Sequence, residues 1–72
     1  QNSKKAIEWY EKSANLGFLD ALYNLGIMYD KGQEVQQDYK KAFELYEKAA
    51  NKGFAKAQLN VGTMYENAEG VK

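Results

Sequence analysis

The chain is one pattern written twice. Ala6-Ile7-Glu8-Trp9-Tyr10-Glu11-Lys12 returns 36 positions later as Ala42-Phe43-Glu44-Leu45-Tyr46-Glu47-Lys48. Asn24-Leu25-Gly26-Ile27-Met28-Tyr29 returns as Asn60-Val61-Gly62-Thr63-Met64-Tyr65. Set against each other position by position, residues 1–36 and 37–72 agree at 18 of 36 pairs, so the two halves are duplicates. A period of this size marks a solenoid, in which each unit buries its apolar side only against its neighbours and the stack exposes a long surface. Such a surface commonly binds something.

The spacing of apolar residues predicts helices. Ala42, Phe43, Tyr46, Ala49 and Ala50 share one helical face, and Ala6, Ile7, Tyr10, Ser13 and Ala14 trace it one unit earlier. Asp38 stands where a helix N-cap belongs, with Asn2 in the matching place. Each helix runs to an Asn-X-Gly stop, at Gly17 and Gly53, where glycine can take the left-handed conformation that ends a helix. A second helix type spans about 20–31 and again about 56–67, with a buried stripe of Ala21, Leu25, Met28 and Tyr29, then Ala57, Val61, Met64 and Tyr65. Gly26 and Gly62 lie inside these helices, where glycine is costly, and predict close helix–helix contact at both places. Tyr10, Tyr29, Tyr46 and Tyr65 read as core, Tyr39 and Phe18 as plugs between helices, and Val35 as a plug in the longer connector.

Composition narrows the function. Ten Lys balance ten acidic residues, and there is no Arg, so neither a net field nor a planar guanidinium draws the chain to nucleic acid. With no Cys and no His, thiolate chemistry, the commonest general base and the commonest metal ligands are all missing. No apolar run approaches the ~18 residues that would insert into a bilayer. Glu8 with Glu11, and Glu44 with Glu47, fall on helix faces expected to be solvated, where nothing raises a carboxyl pKa for proton transfer. Ser3 and Ser13 lack an evident base, and no Gly-rich phosphate loop occurs. No enzyme activity, metal or cofactor is expected.

The order Ala-X-X-Trp-Tyr-X-Lys-X-Ala, Gly, Ala-X-X-Asn-Leu-Gly-X-Met-Tyr, Gly-X-X-Val-X-X-Asp-Tyr, beginning at Ala6, closely resembles the Sel-one-like repeat. That family is a relative of the tetratricopeptide repeat with a longer connecting loop. The resemblance covers the whole chain and implies an all-α, right-handed α-solenoid of antiparallel helix pairs, here about four helices in two units, 1–36 and 37–72. Where the family loop reads Gly-X-Gly-Val, the first loop has Gly32 and Glu34 and the second has Ala68 and Gly70. The chain opens on the helix that ordinarily closes a repeat, so it reads as a segment of a longer array. Neither end reads as a polar cap, which predicts apolar end faces and hence flanking repeats or end-to-end self-association.

By the same resemblance, the helix carrying Asn-Leu-Gly or Asn-Val-Gly builds the concave wall. The helical wheel then leaves Asp20, Tyr23, Asn24, Ile27, Asp30 and Lys31 on it, and Lys56, Leu59, Asn60, Thr63, Glu66 and Asn67 in the second unit. The partner-binding set expected there is Tyr23, Asn24, Ile27, Lys31, Leu59, Asn60, Thr63 and Asn67. Asn24 and Asn60 are the sharpest of these, because an amide can bond a peptide's N–H and C=O together. The plainer alternative is that the two amides tie neighbouring helices together. The function expected is a non-catalytic protein–protein interaction scaffold or adaptor that binds a peptide or partner helix. A purely architectural spacer is one alternative. The other is binding or hydrolysis of a cell-wall or β-lactam compound, associated with cysteine-rich relatives whose cysteines this chain lacks.

Overall fold

The computed structural model describes residues 3–67. They form four helices of equal length, α1 (Ser3–Asn15), α2 (Leu19–Lys31), α3 (Tyr39–Asn51) and α4 (Ala55–Asn67). Short turns over 16–18 and 52–54 fold α1 onto α2 and α3 onto α4, while the longer connector over 32–38 joins α2 to α3. Only sequential neighbours pack extensively, so the chain stacks as an α-solenoid of antiparallel helix pairs measuring 35 × 24 × 15 Å.

The two short turns are built alike because their sequences are alike. Phe18 N–H donates to the Ser13 carbonyl at 3.2 Å and Gly17 N–H to that of Ala14 at 2.9 Å; Phe54 to Ala49 and Gly53 to Ala50 repeat the pair at 3.1 and 2.9 Å. This Schellman arrangement satisfies carbonyls left over at a helix end, and it requires the positive φ that Gly17 and Gly53 adopt, 89° and 93°. The start of α3 is capped as expected: the Asp38 carboxylate accepts from Lys41 N–H at 3.1 Å. Asp38 N–H reaches back to the Tyr29 carbonyl at 2.9 Å, and the Gln37 amide donates to the Asp30 carbonyl at 2.7 Å, which pins the connector along the end of α2. Asn2, Ala68 and Gly70 lie outside the described residues.

Two apolar clusters form the core. Ala14, Ala21, Leu22, Leu25, Leu45, Ala49 and Ala57 join all four helices, and Ala42, Tyr46 and Met64 fill the space between α3 and α4. Alanines at the crossings let the helices approach closely, and larger side chains fill the gaps beside them. Leu22 is almost fully buried although it was not in the expected stripe. Its counterpart is Gln58, so comparing the two units conceals it.

Burial does not repeat with the sequence. Tyr46 is 1% exposed while its duplicate Tyr10 is 36% exposed, and Leu45 is 7% exposed while Trp9 is 63% exposed. Among the described residues α3 packs against both α2 and α4, and α1 packs against α2. Expectation and structure part at the same boundary for Tyr65 and Phe18, which are exposed rather than core or plug. Phe54, the duplicate of Phe18, packs on Tyr23 with ring centroids 5.3 Å apart. Tyr39 is also largely exposed, with its hydroxyl 3.3 Å from the Gln37 amide.

Candidate functional site

The eight candidates lie on α2 and α4, and they meet three different fates. Tyr23 is drawn into packing. Its ring lies 5.6 Å from that of Tyr46 and 5.3 Å from that of Phe54, because the turn into α4 brings Phe54 back over α2. Ile27 is half-buried against the Ala42–Tyr46–Met64 cluster. Asn60 is half-buried too, and it lies beside the Tyr46 hydroxyl, whose pKa it lowers.

That hydroxyl joins three helices. Tyr46 on α3 donates to the Asp30 carboxylate on α2 at 3.4 Å, and Asn60 approaches from α4. Burial pushes the Tyr46 phenol well above its ordinary pKa, the charge of Asp30 and the neighbouring Tyr23 add to the rise, and Asn60 opposes it. Tyr46 therefore stays a neutral donor. Tyr29 makes a related link, donating to the Glu11 carboxylate at 3.4 Å. Burial and then Glu11 raise its pKa. Glu11 is thus half-buried and engaged, not a solvated face residue.

The remaining candidates, Asn24, Lys31, Leu59, Thr63 and Asn67, are exposed. A cleft of about 250 Å³ opens between Tyr10 of α1, Asn24, Ile27 and Met28 of α2, and Gln33 of the connector. Gly26 makes the close approach expected of it: a Cβ there would stand 2.7 Å from Cε1 of Tyr46. Gly62 does not, for a Cβ on it would meet nothing within 4 Å. The reason is positional, since no helix follows α4 among the described residues.

Among the described residues no group of acidic side chains could hold a metal ion, and no helix is long and apolar enough to cross a membrane. Glu8, Asp20, Glu44 and Glu66 are exposed on their helices, and the cleft beside Tyr10 is lined by no carboxylate.

Antiparallel helix pairs stacked through small residues define an α-solenoid of the tetratricopeptide type. The sequence pattern of the Sel1 repeat matches residues 1–18, 19–54 and 55–72, and the chain belongs to the Sel1 repeat family. The family's unit boundaries thus fall after residues 18 and 54, so that α2, the connector and α3 make the complete middle match. Three solved structures share the fold. A Sel1 repeat protein from Oxalobacter formigenes is 35% identical with a TM-score of 0.94, over 99% of this chain and 29% of that one. A protective antigen of uropathogenic Escherichia coli, described as displaying an SLR fold, is 42% identical with a TM-score of 0.95, over 99% and 15%. Cysteine-rich protein B of Helicobacter pylori is 27% identical with a TM-score of 0.92, over 99% and 53%. The chain therefore spans between about one seventh and about half of these proteins. No curated protein matches it. Sel1 repeat proteins are typically protein-interaction scaffolds and generally non-catalytic.

Proposed function

We propose that this chain is a non-catalytic interaction module that receives a peptide or a partner helix along the wall formed by α2 and α4. The observation that carries the reading is a set of polar side chains the fold does not use. Asn24, Lys31, Thr63 and Asn67 are exposed, and they take no part in the side-chain hydrogen bonds or ring contacts among the described residues. Half-buried Ile27 lies between Asn24 and Lys31 and supplies apolar contact beside them. An amide, an ammonium and a hydroxyl spaced along two helices suit an extended backbone, whose N–H and C=O groups need partners when water is displaced. Tyr23 is held in place by Tyr46 and Phe54, and Leu59 adds exposed apolar surface on α4.

The test is selection from a random peptide library followed by calorimetric titration of the best binder. Asn24→Ala combined with Lys31→Glu and Asn67→Ala is expected to weaken binding at least about tenfold, while Glu44→Ala on the exposed side of α3 leaves it unchanged. Equal loss in both variants, or a library that yields no binder, would favour an architectural spacer.

A further inference from the structure

α2 and α4 repeat one another in spacing but not in charge. Asp20, Asn24 and Lys31 fall at i, i+4 and i+11, so they line one stripe of α2. Lys56, Asn60 and Asn67 line the matching stripe of α4. The asparagines are duplicates, whereas Asp20 is replaced by Lys56 and Lys31 by Asn67. On α2 both charges suit the helix dipole, with the acid in the first turn and the base in the last. α4 has no acid in its first turn and no base in its last. Lys56 instead sets a cation in that first turn, where the unbonded N–H groups already leave a positive field.

Nothing in the fold accounts for that cation. Lys56 is exposed, and it has no ion pair, hydrogen bond or ring contact among the described residues. Lys31 is exposed and equally unengaged. α2 and α4 each run antiparallel to α3 and so parallel to each other, which sets Lys56 at the level of Asp20 and Lys31 at the opposite end of the stripes. The two ammonium groups mark one diagonal. A helix rises about 16 Å from position 20 to position 31, and helices side by side stand about 10 Å apart, so the diagonal measures roughly 19 Å. An extended chain at about 3.3 Å per residue crosses it in about six residues. The other diagonal, from Asp20 to Asn67, carries a single negative charge, and the first turn of α2 already complements it.

We propose that the ligand of the α2–α4 wall is an extended acidic peptide with two carboxylate side chains about six residues apart, one meeting Lys31 and the other Lys56. The inference rests on the peptide-binding reading above and adds the ligand's charge, its spacing and its direction of crossing. Asn24 stands between the two levels, where its exposed amide can serve the backbone that joins the two carboxylates. Asp20 acts as the discriminating group. It repels an acid that would follow the α2 stripe downward, so the favoured path crosses to α4.

Fluorescence anisotropy on the whole chain tests it, with three pools of end-blocked peptides that are random except for Glu, Gln or Lys fixed at two places about six residues apart. The Glu pool is expected to bind about fivefold or more tighter than the Gln pool, with the Lys pool weakest and the differences shrinking as salt is added. Lys56→Glu removes the conflict with the dipole, so its melting midpoint should be no lower than that of wild type. Its preference for the Glu pool should nonetheless fall below about twofold, and a pool with one Glu and one Lys fixed should bind it better than it binds wild type. A merely structural lysine would not produce that exchange. Equal binding of the Glu and Gln pools by wild type, or a Lys56→Glu variant that keeps the wild-type preference, would overturn the inference and leave the peptide-binding reading standing. Absence of binding by every pool would overturn both.

Discussion

The same substitution, Gly to Ala, should have opposite effects at the two duplicated positions of this chain. At Gly26 the new methyl would lie 2.7 and 2.8 Å from two carbons of the Tyr46 ring. Carbon atoms settle at about 3.5–4.0 Å, so the ring would have to retreat by roughly 1 Å. It has little freedom to do so, being 1% exposed, packed on Ala42 and Met64, and held through its hydroxyl by Asp30. Overpacking of this kind costs about 1–3 kcal/mol, offset by about 1 kcal/mol of improved helix propensity, which leaves a net loss of up to about 2 kcal/mol. At Gly62 the methyl meets nothing within 4 Å, so only the gain in propensity, about 1 kcal/mol, remains. The two variants should therefore differ by about 1–3 kcal/mol. For a domain of this size that amounts to a gap of roughly 4–24 °C between their melting midpoints, with wild type in between. Urea and thermal unfolding followed by circular dichroism measure it directly. Two midpoints shifted in the same direction would refute the claim that neighbours, not the repeated residues, set the packing at these sites.

Other outcomes follow from the same geometry. Glu34 holds a positive φ of 65°, which costs a non-glycine residue about 1–2 kcal/mol, so Glu34→Gly should raise the unfolding midpoint. Asp38→Ala removes the carboxylate that caps α3 and should cost about 1 kcal/mol in urea unfolding. Tyr46→Phe leaves Asp30 and Asn60 without their shared hydroxyl and should cost about 1 kcal/mol, whereas Tyr10→Phe at the exposed duplicate should cost almost nothing. The folded state holds the Tyr46 and Tyr29 protons above the ordinary tyrosine pKa of 10.0. Their stabilisation is accordingly complete below pH ~10 and is lost as pH rises beyond it, and an alkaline unfolding titration of Tyr46→Phe should show a shallower decline.

The fold was legible in the sequence because helix faces, turn glycines and the Asp38 cap are local features, fixed within a few residues. Position in the stack is not local. Periodicity names Tyr10 and Tyr46 as equal core residues, and the structure buries only the one with helices on both sides. The same blindness makes Gly62 look like a contact glycine. Tyr23 illustrates a second limit. A helical wheel assigns it to the wall, but Phe54 arrives from the next turn and claims the ring, an approach that only the three-dimensional path of residues 52–54 creates. Leu22 escapes notice because α2 is apolar at so many positions that no single stripe stands out. Of the wall candidates, Asn24 and Asn60 share sequence and spacing, yet Asn60 is half-buried beside the Tyr46 hydroxyl while Asn24 stays exposed. Identical residues thus carry different duties, and the neighbouring helix decides which.

The measurement that tests the functional account most directly is amide chemical-shift mapping of a library-selected peptide on the isotope-labelled chain. The account predicts that the largest perturbations run along α2 and α4 at Asn24, Ile27, Lys31, Thr63 and Asn67, with the outer surfaces of α1 and α3 silent. Perturbations centred on α1 or α3, or spread with no preferred helix, would contradict it.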